Sequence, residues 1–155
     1  MTHPADTISF EMQKADEQAI RAHLQDCDKN FIPVLSEKVD LQEYAKKIFD
    51  KAKTFEAWQN GKLIGLIAAY FNNVQDSKGF ITSVSVSEEQ KGKGIAATLL
   101  KNCLEYAHDH HFSAISLEVS GQNKPAINLY KKFGFLEQSR KGGSVIMNIS
   151  FEPSS

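Results

Sequence analysis

Cysteine is scarce in this 155-residue chain: Cys27 and Cys103 stand far apart, with no Cys-x-x-Cys and no histidine-paired spacing. That excludes a disulfide framework and a zinc site of the usual spacing, and leaves two reduced, partly buried thiols. An excess of charge is missing as well. With 18 Lys and Arg against 19 Asp and Glu, the net charge of -1 offers no general attraction to a polyanion, so a dedicated nucleic-acid binder is not expected. No stretch approaches the roughly 20 apolar residues of a membrane helix. Met1 to Asp6 has no basic segment followed by an apolar run, so the expected location is cytoplasmic, without membrane association. Four prolines and nine glycines are too few and too scattered to mark a linker, and no repeat is visible. One domain over residues 1–155 is the expected organisation. A hydrophobic share of 41% and a charged share of 24% belong to an ordinary globular chain.

Periodicity orders what is present. Ile8, Phe10 and Met12 alternate with polar neighbours like a first strand, and Ala15 to Cys27 places Ala19, Ile20, His23 and Leu24 at helical spacing. The pattern breaks around Pro33. A second helix follows over Leu41 to Ala52, with Tyr44, Ala45, Ile48 and Phe49 on one face. Thr54 to Gln59 and Lys62 to Asn72 are β-rich runs joined by Asn60-Gly61, a dipeptide suited to the positive φ of a type I′ turn. Phe80 to Val86 is a long strand, with Ile81, Val84 and Val86 prominent. After Gly94 a helix runs toward His108, and Ala114 to Ser120 alternates cleanly, Ile115, Leu117 and Val119 opposite Ser116, Glu118 and Ser120. Asn123 caps a short helix that holds Pro125 near its start and Gly134 just past its end. Two closing strands, Phe135 to Arg140 and Ser144 to Phe151, meet at Gly142-Gly143.

Chemistry enters where the strand ending at Val86 turns through Lys91-Gly92-Lys93-Gly94-Ile95-Ala96 into a helix. Such a turn gathers unpaired backbone N–H groups and the positive end of the helix dipole at one spot, which binds phosphate. A side chain at either glycine would hold a pyrophosphate away from those amides. The spacing is neither that of a Walker loop nor that of a dinucleotide fingerprint, which needs a third glycine and an acidic residue about 20 positions on.

The run from Val86 to Ala96, followed by Leu99-Leu100, resembles motif A of the GNAT superfamily of acyl-CoA N-acyltransferases, R/Q-x-x-G-x-G/A, with Lys91, Gly94 and Ala96 at its defining positions. Lys91 replaces the usual Arg or Gln and keeps a donor. Leu117-Glu118-Val119 with Asn123, Ala126-Ile127, Leu129-Tyr130 and Gly134-Phe135 is similar to the second signature of the same family. The resemblance covers nearly the whole chain. It implies an α+β fold, a central mostly antiparallel sheet with splayed strands flanked by helices, and acetyl-CoA as co-substrate with no metal. Ser85 and Val86 would then offer backbone groups to the pantetheine arm. Lys91, Gly92, Lys93, Gly94, Ile95, Ala96 and Ala97 would cradle the pyrophosphate, and Asn123 would contact the cofactor.

By the same resemblance Tyr130 is the candidate acid that protonates the leaving thiolate and Glu118 the candidate base. Spacing alone reads differently: Tyr130 shares a face with Leu129 and Phe133 like a core tyrosine, and Glu118 reads equally as a surface carboxylate. His108, His110 and His111 read as a solvated helix end, and no metal is assigned to them. The acceptor expected is a small-molecule primary amine, bound by a monomer or homodimer, with Phe31, Ser36 and Tyr44 lining its side of the cleft. The run Asn30 to Asp40, ahead of Tyr44-Ala45, resembles bacterial members associated with cell-surface polysaccharide synthesis, which implies an amino sugar as the preferred acceptor. A peptide or protein amine, or an acyl-CoA sensor without turnover, are the alternatives.

Overall fold

A computed structural model of the protein describes residues 7–151. Its elements are β1 (Ser9–Met12), α1 (Glu17–Cys27), α2 (Leu41–Lys51), β2 (Lys53–Gln59), β3 (Lys62–Asn73), β4 (Lys78–Val86), α3 (Ile95–Asp109), β5 (Ala114–Ser120), α4 (Lys124–Lys132), β6 (Leu136–Lys141) and β7 (Ser144–Ser150). The strands form one seven-stranded sheet in the order β1-β2-β3-β4-β5-β7-β6. Every neighbouring pair is antiparallel except β4 and β5, which run parallel. The fold is therefore the α+β arrangement expected, with a mostly antiparallel sheet between helices.

Sheet parity divides the core in two. On one face Ile67, Ala69 and Phe71 of β3 pack with Ile95, Leu99, Leu100 and Cys103 of α3 and with Tyr130 of α4. On the other, Leu66 and Ala68 meet Ile20 and Leu24 of α1 and Ala45 and Ile48 of α2. Burial of these aliphatic groups is the dominant favourable term, on the order of 1.5–3 kcal/mol for each large side chain. Gly65 lets α3 settle closely: a Cβ there would stand 2.8 Å from Cγ2 of Ile95. Phe49 departs from expectation, since it is 49% exposed although its spacing shares the α2 face with Ile48. An eleven-residue helix lying on a sheet covers a narrower stripe than the apolar pattern offers.

Three helices begin with a side-chain cap. Asp16 accepts from the Ala19 N–H at 2.8 Å, Asp40 from Glu43 at 2.9 Å, and Asn123 from Ala126 at 3.3 Å. The fourth, α3, starts at Gly94 in the left-handed region (φ 75) with no side-chain cap. Its first-turn N–H groups are left for a ligand or solvent. No helix among the described residues is long and apolar enough to cross a membrane.

The candidate acyl-CoA cleft

β4 and β5 pair only from Lys78 to Ile81 against Ala114 to Leu117. Beyond that point β4 continues along β3, and β5 continues along β7, so the two strands part. The cause is local. Ser83 stands opposite Ala68 and Ile81 opposite Ala69, which leaves Thr82 as an extra residue, a β-bulge that bends β4 away from its parallel neighbour. Tyr44 of α2 takes up the polar groups released there: its Oη–H donates to the Thr82 carbonyl at 2.8 Å and lies 2.7 Å from Thr82 Oγ1.

Two cavities open from the splay. One, of about 720 Å³, runs between Val84 to Val86, the turn from Gln90 to Ala97, and Asn123 to Tyr130. The other, of about 320 Å³, lies between Thr82 to Val84 and Leu117 to Ser120, under the loop at Asn30 to Pro33. They share Asn30, Phe31, Ile32, Val84, Asn123 and Tyr130, so the two compartments meet at Tyr130.

The first cavity brings together most of the expected cofactor residues: Ser85, Val86, Lys91, Gly92, Gly94, Ile95, Ala96, Ala97, Asn123 and Tyr130. Gly92 (φ 83) and Gly94 (φ 75) are both left-handed, and a Cβ on either would meet no protein atom within 4 Å. The space beside the amides is open, and it adjoins the uncapped start of α3. Lys93 is not part of this lining and turns back to Gln90, its Nζ donating to Oε1 at 2.9 Å. Lys91 lines the cavity while its ammonium lies 2.9 Å from Glu88 Oε2; both side chains are more than half exposed, so the pair is weak and exchangeable.

Tyr130 is 5% exposed, and among the described residues its hydroxyl has no hydrogen-bond partner. Burial pushes the phenol well above its ordinary range, so it holds its proton throughout the working pH range. Its ring is fixed against Phe135, with centroids 5.8 Å apart. Across the second cavity, Glu118 is exposed and lines the wall of β5. Of the residues expected on the acceptor side, Phe31 lines both cavities and Tyr44 lines the second. Ser36 lies outside both: it is exposed on a 3-10 turn over Leu35–Glu37, and its N–H donates to Asp28 Oδ1 at 2.6 Å. Tyr44 is spent on the bulge, so Tyr44→Phe should leave the Thr82 carbonyl without its donor and cost about 1–3 kcal/mol of stability. Urea unfolding of the two proteins measures this, and a loss under about 0.5 kcal/mol would mean that solvent replaces the phenol.

Two residues behind the wall escape a reading by periodicity. Cys27, at the end of α1, lines the first cavity, yet burial pushes its thiol up to about 11, so it stays protonated and is a poor nucleophile. His23 is 2% exposed; its Nδ1 faces the Leu63 carbonyl at 3.2 Å and its Nε2 lies 2.9 Å from Ser85 Oγ. A proton on Nδ1 satisfies the carbonyl and leaves Nε2 to accept from Ser85, which anchors β4 from below. Burial lowers the imidazole to about 4. The unfolded chain, with its histidine near 6.5, therefore binds a proton between pH 6.5 and 4 that the folded protein refuses, and stability falls as pH falls through that window. The loss approaches roughly 3 kcal/mol at about 1.4 kcal/mol per pH unit. Unfolding at pH 7 and pH 4.5 should reveal it, and His23→Gln should remove most of the difference; an unaltered pH slope in the variant would assign it to other groups.

Residues 15–135 match the Acetyltransferase (GNAT) family, and the chain belongs to it. An N-alpha-acetyltransferase of Sulfurisphaera tokodaii is 33% identical over 97 residues, covering 56% of this chain and 58% of that one. The chain spans less than two thirds of the length of the curated relatives it matches. Among solved structures, PH1933 from Pyrococcus horikoshii OT3 superposes with a TM-score of 0.77 at 28% identity, over 95% of this chain and all of the other. The PaiA N-acetyltransferase of Thermoplasma acidophilum, crystallised with coenzyme A, shares the fold with a TM-score of 0.74 at 17% identity, over 92% and 99% of the two chains.

Proposed function

We propose that this chain is one N-acetyltransferase domain that moves an acetyl group from acetyl-CoA to a primary amine by direct attack within a ternary complex. The observation that carries the reading is the junction of the two cavities, where the unpaired, protonated phenol of Tyr130 stands between an open anion cradle and a second compartment. Pyrophosphate at the uncapped α3 start would lay the pantetheine arm along Ser85 and Val86, whose strand edge toward β5 is unpaired. That course brings a thioester to Tyr130. The amine, entering from the other cavity, must be neutral to attack. Glu118 would take its proton, directly or through water, and Tyr130 would protonate the departing thiolate. Both cysteines are held protonated by burial, Cys27 near 11 and Cys103 near 12, which favours direct transfer over an acetyl-cysteine intermediate.

The acceptor is read as a small amine, an amino sugar among the candidates, because the second cavity is only about 320 Å³. A peptide amine is the second reading, favoured by the N-alpha-acetyltransferase relative. The test pairs titration calorimetry of acetyl-CoA with thiol release over a panel of primary amines and short peptides. Acetyl-CoA binding without amine-stimulated thiol release would reduce the protein to a sensor, and absence of binding would remove the reading altogether.

A further inference from the structure

A third cavity, of about 410 Å³, lies beyond the compartment of about 320 Å³. Ile32, Pro33, Ser120 and Ser144 line both, so the smaller compartment continues past the end of β5 instead of closing there. Among the described residues, Arg140 is the one charged side chain that lines this third cavity. Register fixes where it stands. Val145 of β7 pairs with Val119 of β5 on one side and with Arg140 of β6 on the other, which sets the Arg140 backbone two strand spacings, roughly 10 Å, from β5. The side chain spans that gap. Its Nη1 lies 3.7 Å from the point that a Cβ on Gly121 would occupy, at the turn out of β5, and the missing side chain of Gly121 leaves the guanidinium its place on the groove wall.

A neighbour orients that guanidinium. Nε and Nη2 of Arg140 donate to the two carboxylate oxygens of Glu137, three residues back on the same strand, and Glu137 itself lies outside the cavity lining. The pair occupies one side of the fork and leaves Nη1, on the side toward Gly121, without a hydrogen bond among the described residues. A guanidinium carries five N–H donors in one plane, so the free end formed by Nη1 and the second Nη2 hydrogen matches a carboxylate or a phosphate. Charge along the joined compartments has an order. Glu118 is the acid that lines them, and Lys38 and Arg140 are the bases. Glu118 stands three residues before Gly121, roughly 10 Å along the strand, so an amine at Glu118 and an anion at Arg140 can belong to one small molecule. We propose that the third cavity is an anion subsite of the acceptor, in which Arg140 binds a carboxylate or phosphate carried by the amine substrate. The inference rests on the proposed function above, which sets the amine at Glu118, and it narrows the acceptor to primary amines that also bear an acid group.

Matched acceptors test it: glucosamine 6-phosphate against glucosamine, and the dipeptide Ala-Glu against Ala-Gln. In low-salt buffer the wild-type protein should favour the anionic member of at least one pair by about fivefold or more in kcat/KM, and the pair that responds tells phosphate from carboxylate. The Arg140 side chain is exposed, so the preference should shrink toward parity in about 1 M salt, where the screening length is about 3 Å. Arg140→Gln should bring the ratio to within about twofold, through KM more than kcat, because a contact remote from the thioester holds ground and transition states alike. Arg140→Lys should restore part of it, since an ammonium keeps the charge and loses the fork. A ratio that survives in Arg140→Gln overturns the subsite. Acetyl-CoA affinity that falls about tenfold or more in Arg140→Gln, with the ratio unchanged, overturns it in favour of a contact with the cofactor. If the wild-type protein acetylates the neutral amines and the anionic ones no better, the subsite alone falls. If it binds acetyl-CoA but acetylates none of the four, the transferase reading fails for small amines and the subsite falls with it.

Discussion

Gly94→Val should weaken CoA binding by roughly 100-fold or more, since it removes at least two charge-assisted hydrogen bonds worth about 1.5–3 kcal/mol each. Two effects act together at this position. Its φ of 75 is one that a β-branched residue adopts only with strain, so the turn is driven out of the conformation that aims the first amides of α3 outward. The Cβ branches would also occupy the space in which a Cβ at Gly94 meets no protein atom within 4 Å, the space assigned to pyrophosphate. The same openness protects the fold, because the substitution displaces nothing from the core and costs on the order of 1–3 kcal/mol of backbone strain. Calorimetry with CoA, beside far-ultraviolet circular dichroism, separates the two consequences. A dissociation constant within threefold of wild type would place the pyrophosphate elsewhere, whereas loss of the folded spectrum would mean that the turn nucleates α3 as well as binding phosphate.

Much of this architecture is legible in the residues. The order of strands and helices follows periodicity, and Asn60 (φ 53) and Gly61 (φ 74) hold the positive φ that the β2–β3 turn needs. The phosphate cradle is legible because two glycines closing a turn into a helix leave the first amides of that helix uncapped by a side chain and open to an anion. The splay was written there as well, less openly. Ile81, Val84 and Val86 all reach the α3 face, and the step of three between the first two breaks a strict alternation of two. Such a phase slip requires an extra residue, and Thr82 is it.

What the sequence hid are contacts between distant residues. Nothing local marks Tyr44 as the partner of Thr82, 38 positions on, or His23 as that of Ser85, 62 positions on. A helical periodicity assigns Tyr44 and His23 to an inward stripe and stops there. Glu56 is the extreme instance: fully buried on β2, it accepts from the backbone N–H groups of Lys14 and Ala15, from Thr54 Oγ1 and from the Trp58 indole. Those bonds fasten the chain between β1 and α1 to the sheet. Alternation along β2 gives no sign of it, since Glu56 reads as a solvent-facing residue between Phe55 and Ala57. Ser36 errs in the opposite direction, because a loop that covers a cleft turns only some of its side chains inward.

Tyr130→Phe should lower kcat by about 10²–10⁴-fold while changing the affinity for acetyl-CoA little, which is the signature of a group that acts in the transition state. The substitution keeps the ring, and with it the packing on Phe135 and the Ile127 side of the core, so the cavity keeps its shape. What it removes is one proton donor whose hydroxyl has no other partner to lose. The hydroxyl opens onto the cavities and makes no hydrogen bond within the fold, so deleting it costs the fold little, and a fall in activity with an unchanged melting temperature isolates chemistry from structure. The pH profile adds a second reading. Because burial raises the phenol far above its ordinary value, the wild-type enzyme should show no alkaline loss of kcat attributable to Tyr130 below about pH 10, and any limb near neutral pH belongs to a group other than Tyr130. A Phe variant that turns over within threefold of wild type would mean that the thiolate leaves unaided or draws its proton from water, and Tyr130 would then be only a wall between the two cavities.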